Sequence, residues 1–405
     1  MEDSNDEKIP LNIEPIEEPV IDDEPKKEKP AVKLPSIDFK KFFLSRGFIK
    51  TCAWILTIVF IALTVFGLYV AQRLVMPKYQ HGIVEGAMIG EYYQSEVPHE
   101  VLFLGDCEVY ENISTVTLYE NYGISSYIRG SAQQLTWQSY YLLQDTLRYE
   151  TPEVVVFNVL ALKYGEPQSE SYNRMTLDGM EWSSAKWDAI NASMTEGEHM
   201  IDYIFPLLRY HSRWNELTQT DYDCLWGGER VTVNGYYMRA DINPEGEFPP
   251  ALPLTDYTLP DMSMNYLAEI AQLCRENDIE LVLIKAPTLY PCWYEEWDSQ
   301  VRRFADNNNI PYINYIGLRD EIGLDMSVDT YDAGLHLNLT GAEKWADYIG
   351  SYLVRNFELT DYREVPEVAA IWEQDIAFYN ELRDAQMAEL AEYGELMSWG
   401  VNAIE

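Results

Sequence analysis

Positive charge is scarce in this chain. Its 405 residues hold 29 Lys and Arg against 67 Asp and Glu, a formal net charge of −38. Phosphate surfaces are bound by clustered Lys and Arg, so the balance argues against nucleic acid or an anionic membrane surface as partner. The excess acid is read as solubility, with cation binding or a basic partner as the other reading. Cysteine is sparse too. Cys52, Cys107, Cys224, Cys274 and Cys292 form no CxxC pair, and none sits beside a histidine at metal-ligand spacing. That argues against a structural zinc site, and no metal or cofactor is expected. The last four cysteines lie far apart in a large chain, unlike a small disulfide scaffold; two disulfides are possible among them, but the spacing demands none. There is no internal repeat.

One charge-free apolar stretch reaches membrane length: "TCAWILTIVFIALTVFGLYVAQ", residues 51–72. About twenty residues suffice to cross a bilayer, and this run is too long and too far inside the chain for an ordinary cleaved signal peptide. Lys33, Lys40, Lys41, Arg46 and Lys50 precede it, whereas Arg73 and Lys78 follow. The positive-inside rule then predicts a single-pass protein of the cell membrane with a cytoplasmic N-terminus and everything after the span exported. Residues 1–36, rich in Pro, Glu, Asp and Lys, read as a disordered cytoplasmic tail.

The exported part alternates strand-like and helix-like segments. "VLFLG" (101–105), "ISSYIRG" (124–130) and "EVVVFNVL" (153–160) are short apolar runs, separated by the helical patterns "STVTLYENYG" and "LTWQSYYLLQDTLRY". The alternation resumes with "MNYLAEIAQLCREN", "IELVLIKAP", "WDSQVRRFADNN" and "IPYINYIG". A final helix, "LTGAEKWADYIGSYLVRNF", carries a capping box of Thr340 and Glu343. This order predicts a flavodoxin-like, doubly wound α/β domain over residues 95–360, with about five parallel strands and helices on both faces. An insertion at 161–261, rich in Trp, Tyr, Met and Arg, reads as a lid or wall of a site, or as a plain structural subdomain; "ERVTVNGYYM" within it looks like a hairpin. Residues 361–405 read as a C-terminal extension of one or two helices.

In such sheets, ligands sit beyond the carboxyl ends of the strands. Cys107, in "VLFLGDCEVY", falls just past the first strand on a turn into a helix, where unpaired N–H groups favour negative charge. Gly130 ends the second strand and could bring a bare N–H to the same spot. His336 and Asp332, in "DTYDAGLHLNLTGAEKW", follow the fifth strand. Thiol, imidazole and carboxylate from separate segments give the triad logic of acyl transfer. The thiol's neighbours Asp106 and Glu108 would disfavour a thiolate; a helix N-terminus and a protonated His336 would favour it. The residues leave three roles open for Cys107: nucleophile, relic in a binding protein, or a disulfide or core cysteine. Lys285, at the end of the fourth strand, reads as a solvated lysine more readily than a site residue. Trp182, Trp187, Trp214 and Trp226 could stack on sugar rings or serve as core, and His211, between Arg209 and Arg213, reads as a structural turn.

"FLGDCEVY", "YIRGSAQQ" and "YDAGLHLNLTGAEK", in that order, resemble the SGNH (GDSL) hydrolase family. The resemblance covers roughly residues 101–357 outside the insertion. It implies Cys107 in the place of the nucleophilic Ser, Gly130 lending an oxyanion N–H with that of Cys107, His336 as base and Asp332 as its orienter. The chain departs from the pattern in its Cys, in the Asp-x-x-x-His spacing, and in having no Gly-x-Asn-Asp after the third strand; Asn158 is the nearby candidate for the third oxyanion donor. With its span, the chain further resembles envelope-polymer acyl-transfer proteins such as those of alginate O-acetylation and teichoic-acid D-alanylation. That implies an esterase or O-acyltransferase acting on an envelope glycan or acylated carbohydrate, with a membrane acyl-transfer partner, or a catalytically silent carbohydrate-binding or assembly component of the same fold.

Overall fold

The computed structural model describes residues 43, 45–77, 86–226 and 230–397, so the tail expected at 1–36 lies outside the described residues. The chain divides into two units, residues 1–64 and 65–405. The apolar run belongs to one unbroken helix, α1 (Arg46–Val75), with a mean hydropathy of 2.4 over its most apolar stretch. Length and composition suit a membrane anchor or a signal sequence.

The second unit is built on five parallel strands: β1 (Val101–Gly105), β2 (Ser126–Gly130), β3 (Val154–Asn158), β4 (Glu280–Lys285) and β5 (Tyr312–Asn314), ordered β2-β1-β3-β4-β5. This is the flavodoxin-like doubly wound order, and the expected α/β class is the observed one. The strands are continuously apolar because both faces are covered. Alternate side chains serve opposite layers: Val101, Phe103, Val156 and Ile284 on one side, Leu102, Leu104, Phe157 and Leu283 on the other. Each such side chain, fully buried, contributes roughly 1.5–3 kcal/mol.

A short helix α2 (Cys107–Tyr110) and then α3 (Thr115–Tyr122) follow β1; α4 (Thr136–Thr146) follows β2. After the insertion come α5 (Asp261–Glu276), α6 (Glu295–Asn308), α7 (Leu339–Asn356) and α8 (Pro366–Tyr393). Helices α3, α7 and α8 cover the first face, through residues such as Leu118, Trp345 and Trp372; α4, α5 and α6 cover the second, through Leu142, Ile270 and Val301.

Local sequence explains most of the boundaries. Ser114 Oγ accepts from Thr117 N–H at 3.2 Å to start α3, and Gly123 at φ 72° ends it. The start of α7 differs from expectation. Asn338 supplies the cap, its Oδ1 accepting from Gly341 N–H at 3.2 Å, while the Thr340 hydroxyl donates instead to Asp329 at 2.7 Å. An asparagine two residues upstream satisfies the same free N–H groups sooner. The hairpin expected around residues 229–238 is reduced to one antiparallel bridge, Val233 to Tyr236. The C-terminal extension is one 28-residue helix, α8, and all five cysteines are free thiols.

Candidate active site

The first strand stops at Gly105 for a steric reason. At φ 158°, a Cβ there would lie 2.6 Å from Val109 Cγ2 and 3.0 Å from Asn158 Cβ. Only glycine lets the chain turn so tightly from β1 into α2. Asp106 then caps α2, its Oδ1 accepting from Glu108 N–H at 3.2 Å, and Cys107 is the first helical residue. The half-buried Cys107 thus stands at the carboxyl end of β1, where the strand order reverses between β1 and β3. Gly130 is paired in register with Gly105 at the neighbouring strand end.

The loop before α7 brings His336 to this place. Asp332 grips it twice: Oδ1 accepts from the His336 backbone N–H at 2.8 Å, and Oδ2 lies 2.5 Å from Nδ1. The Asp-x-x-x-His spacing closes through a left-handed pair, Ala333 at φ 64° and Gly334 at φ 98°. Thr330 Oγ1 accepts from Gly334 N–H at 2.8 Å and donates to the His336 carbonyl at 2.7 Å, and Asn112 Oδ1 accepts from Leu337 N–H at 2.7 Å. With Nδ1 committed to Asp332, Nε2 is left for the sulfur; thiol and imidazole lie within electrostatic reach of one another.

A second carboxylate joins them. Glu111, buried just past α2, has Oε2 3.5 Å from His336 Nδ1 and accepts from the Tyr331 hydroxyl. The Tyr331 ring stacks on His336 at 6.0 Å, and the Arg239 guanidinium, paired with Asp241 at 2.8 Å, lies 4.4 Å from the Tyr331 ring centroid. Burial pulls the His336 pKa down, but Glu111, the Cys107 sulfur and the Asp332 hydrogen bond outweigh it, holding the imidazole well above its usual value. Burial pushes the Cys107 thiol up to about 11, opposed by His336 and assisted by Asp106 and Glu111. Both shifts hold protons in place, the thiol's through burial and the imidazole's through its neighbouring carboxylates. Burial, with Glu108 next, also raises Asp106 to about 6.

Two readings change. Asn158 is fully buried and its carboxamide is committed: Nδ2 donates to Glu108 at 3.0 Å and Asp106 at 3.3 Å, and Oδ1 accepts from Ala286 N–H at 3.2 Å. A donor with both protons engaged on buried carboxylates cannot also face an oxyanion, so Asn158 positions the turn that carries Cys107 instead. Lys285 is not solvated. Its ammonium is buried against Glu108, 2.9 and 3.0 Å from the two carboxylate oxygens, and Thr288 Oγ1 adds a bond of 2.7 Å to Glu108. Glu108 is thereby engaged by Lys285 and Thr288, and of the two flanking acids Asp106 is the one that chiefly raises the thiol.

Sequence reasoning missed Glu111, Tyr331 and Lys163. Lys163, five residues beyond Asn158, lies within electrostatic reach of Asp106 and Cys107, and burial lowers its pKa. A lysine just past a strand's carboxyl end was one available signal, and a carboxylate four residues after Cys107 another; Tyr331 had none, since only the fold brings it to Glu111. The two ends of the insertion wall the site: Lys163 and Tyr164 on one side, and on the other Arg239, Glu245 and Phe248, the last two against Gly334. The named tryptophans lie elsewhere. Lys186 sits 4.7 Å over Trp182, and Trp226 stacks on Phe66 in α1. His211 turns its Nδ1 to the Leu208 carbonyl at 2.9 Å.

No protein-family model matches the chain, and no curated protein matches it. Similar solved structures include a GDSL-like lipase from Bacteroides thetaiotaomicron, at 13% identity and TM-score 0.32, covering 66% of this chain and 95% of that one. A protein from Bacteroides fragilis, described as a proposed acylhydrolase, is 12% identical with TM-score 0.32, covering 66% and 94%. At such identities the site must be read from its own residues.

Proposed function

We propose that the chain is a membrane-tethered esterase or O-acyltransferase whose nucleophile is Cys107. The observation that carries this reading is the convergence of Cys107, His336 and Asp332 from opposite ends of the domain at the strand-order reversal. In the proposed cycle His336, once it has lost its own proton to solvent, takes the thiol proton as sulfur attacks an ester carbonyl; the tetrahedral oxyanion faces the N–H groups of Cys107 and Gly130. Collapse breaks the carbon–oxygen ester bond, and His336 returns the proton to the departing alcohol, leaving a thioester. Water, or a sugar hydroxyl of an envelope glycan, then attacks the thioester with His336 again as base, releasing acid or a new ester and restoring the thiol. Asp332 keeps the ring in the required tautomer throughout.

A second reading, a catalytically silent glycan-binding component, is favoured by one specific feature: a thiol whose pKa is pushed to about 11. Turnover of a panel of acyl esters by the full chain in detergent separates the two. The enzyme reading expects hydrolysis that Cys107→Ala abolishes and His336→Ala lowers by roughly a hundredfold or more. Glycan binding that survives both substitutions, with no turnover, would sink it.

A further inference from the structure

The insertion carries an exposed apolar segment whose place in the fold is set by α1. The last turns of that helix are held by three contacts: the Trp226 ring stacks on Phe66 at 6.3 Å and 15°, Arg73 Nε donates to the Leu225 carbonyl at 2.8 Å, and the Arg213 guanidinium donates to the Val75 carbonyl at 2.8 Å. Trp214 and Trp226 are 70% and 67% exposed, and Phe205, Leu208 and Tyr222 in the same segment are exposed as well. Both arginines of the segment are paired within the protein, Arg213 with Asp221 at 3.1 Å and Arg209 with Glu170 at 2.6 Å, while Glu216 and Asp223 are exposed beside the apolar side chains.

Phe66 lies six residues before Gln72, the end of the charge-free run. At 1.5 Å per residue that is about 9 Å inside the apolar stretch. Where α1 crosses a bilayer, a ring stacked on Phe66 cannot sit in bulk water: it lies at the depth of the headgroup and upper acyl region. Trp and Tyr are favoured at that depth, because an apolar ring body and a polar N–H or O–H meet both environments.

We propose that residues 205–226 form a docking platform that enters the bilayer leaflet at the carboxyl end of α1, led by Trp226, Trp214, Phe205 and Leu208. The proposal rests on the reading of α1 as a membrane anchor. The occupant is the lipid at the acyl–headgroup boundary, and with its arginines paired and Glu216 and Asp223 exposed the platform has no need of anionic headgroups. The domain is thus attached twice, by a span and by an interfacial patch.

The test uses the full chain in nanodiscs of phosphatidylcholine brominated either near the headgroup or near the chain terminus, with tryptophan fluorescence as readout. Trp214→Phe and Trp226→Phe, both at exposed positions that leave the core intact, are each expected to lose part of the quenching by shallow bromine, and the double variant to lose more. Trp182→Phe with Trp187→Phe, exposed elsewhere on the insertion, should leave that quenching unchanged. Trp54→Phe reports the anchor separately, since Trp54 lies inside the span. Loss of quenching in Trp54→Phe but not in the platform variants overturns the platform while the anchor stands; no loss in any variant overturns both.

Discussion

At the residue scale the chemistry turns on a conflict at Cys107. Its position suits a nucleophile, yet burial and the carboxylates of Asp106 and Glu111 keep the proton on sulfur, and Asp332 and Glu111 keep one on His336. Both effects push productive ionisation toward alkaline pH. With a thiol pKa of about 11, a thiolate is roughly one part in ten thousand at pH 7. Alkylation of Cys107 by iodoacetamide, followed by mass spectrometry of the native protein, should therefore be slow at pH 7 and rise roughly tenfold per pH unit to about pH 9. A plateau below pH 7 would show instead that the thiolate–imidazolium pair is the resting form. Asn158 illustrates how little residue type decides alone: an amide at the right strand end supports the turn because two buried carboxylates claim its protons.

At the scale of elements, the turn that carries Cys107 is tied to β4 by charge. Lys285 ends β4, Glu108 belongs to α2, and their ion pair is closed from water, with Thr288 and Asn158 completing the acceptor's bonds. Breaking one partner of a buried pair is far more damaging than replacing both. Lys285→Met should cost about 3–5 kcal/mol in chemical denaturation, and Glu108→Gln combined with Lys285→Met should regain most of it. If the single substitution costs less than about 1 kcal/mol, the pair is not what holds α2 on the sheet. The strands themselves were legible because continuous apolar runs between helical patterns admit few arrangements, and Gly105 and Gly123 mark real ends. The α7 cap was misplaced by two residues because a Thr-x-x-Glu pattern and an upstream Asn compete locally, and only the position of Asp329, which takes the Thr340 hydroxyl, settles the choice.

At the scale of the whole molecule, the formal charge of −38 opposes compaction through self-repulsion that salt screens over a Debye length of about 10 Å at 0.1 M. The buried pairs Lys285–Glu108 and Arg129–Asp145 lie beyond such screening. Raising NaCl from low to physiological ionic strength should therefore raise Tm by a few degrees in differential scanning calorimetry. A fall in Tm would mean that exposed ion pairs outweigh the net repulsion.

The sequence by itself determined the apolar helix, the doubly wound sheet and the candidate roles of Cys107 and His336, because periodicity, charge-free length and strand-end turns are local properties of the chain. Tertiary structure alone decided that Lys163 comes within electrostatic reach of the thiol, that Tyr331 joins Glu111 to His336, that Lys285 is buried against Glu108, and that Trp226 meets α1. Apart from Glu111, four positions after Cys107, those partners are separated by tens to hundreds of positions, and nothing in their local pattern states which will share a low-dielectric space once the sheet closes.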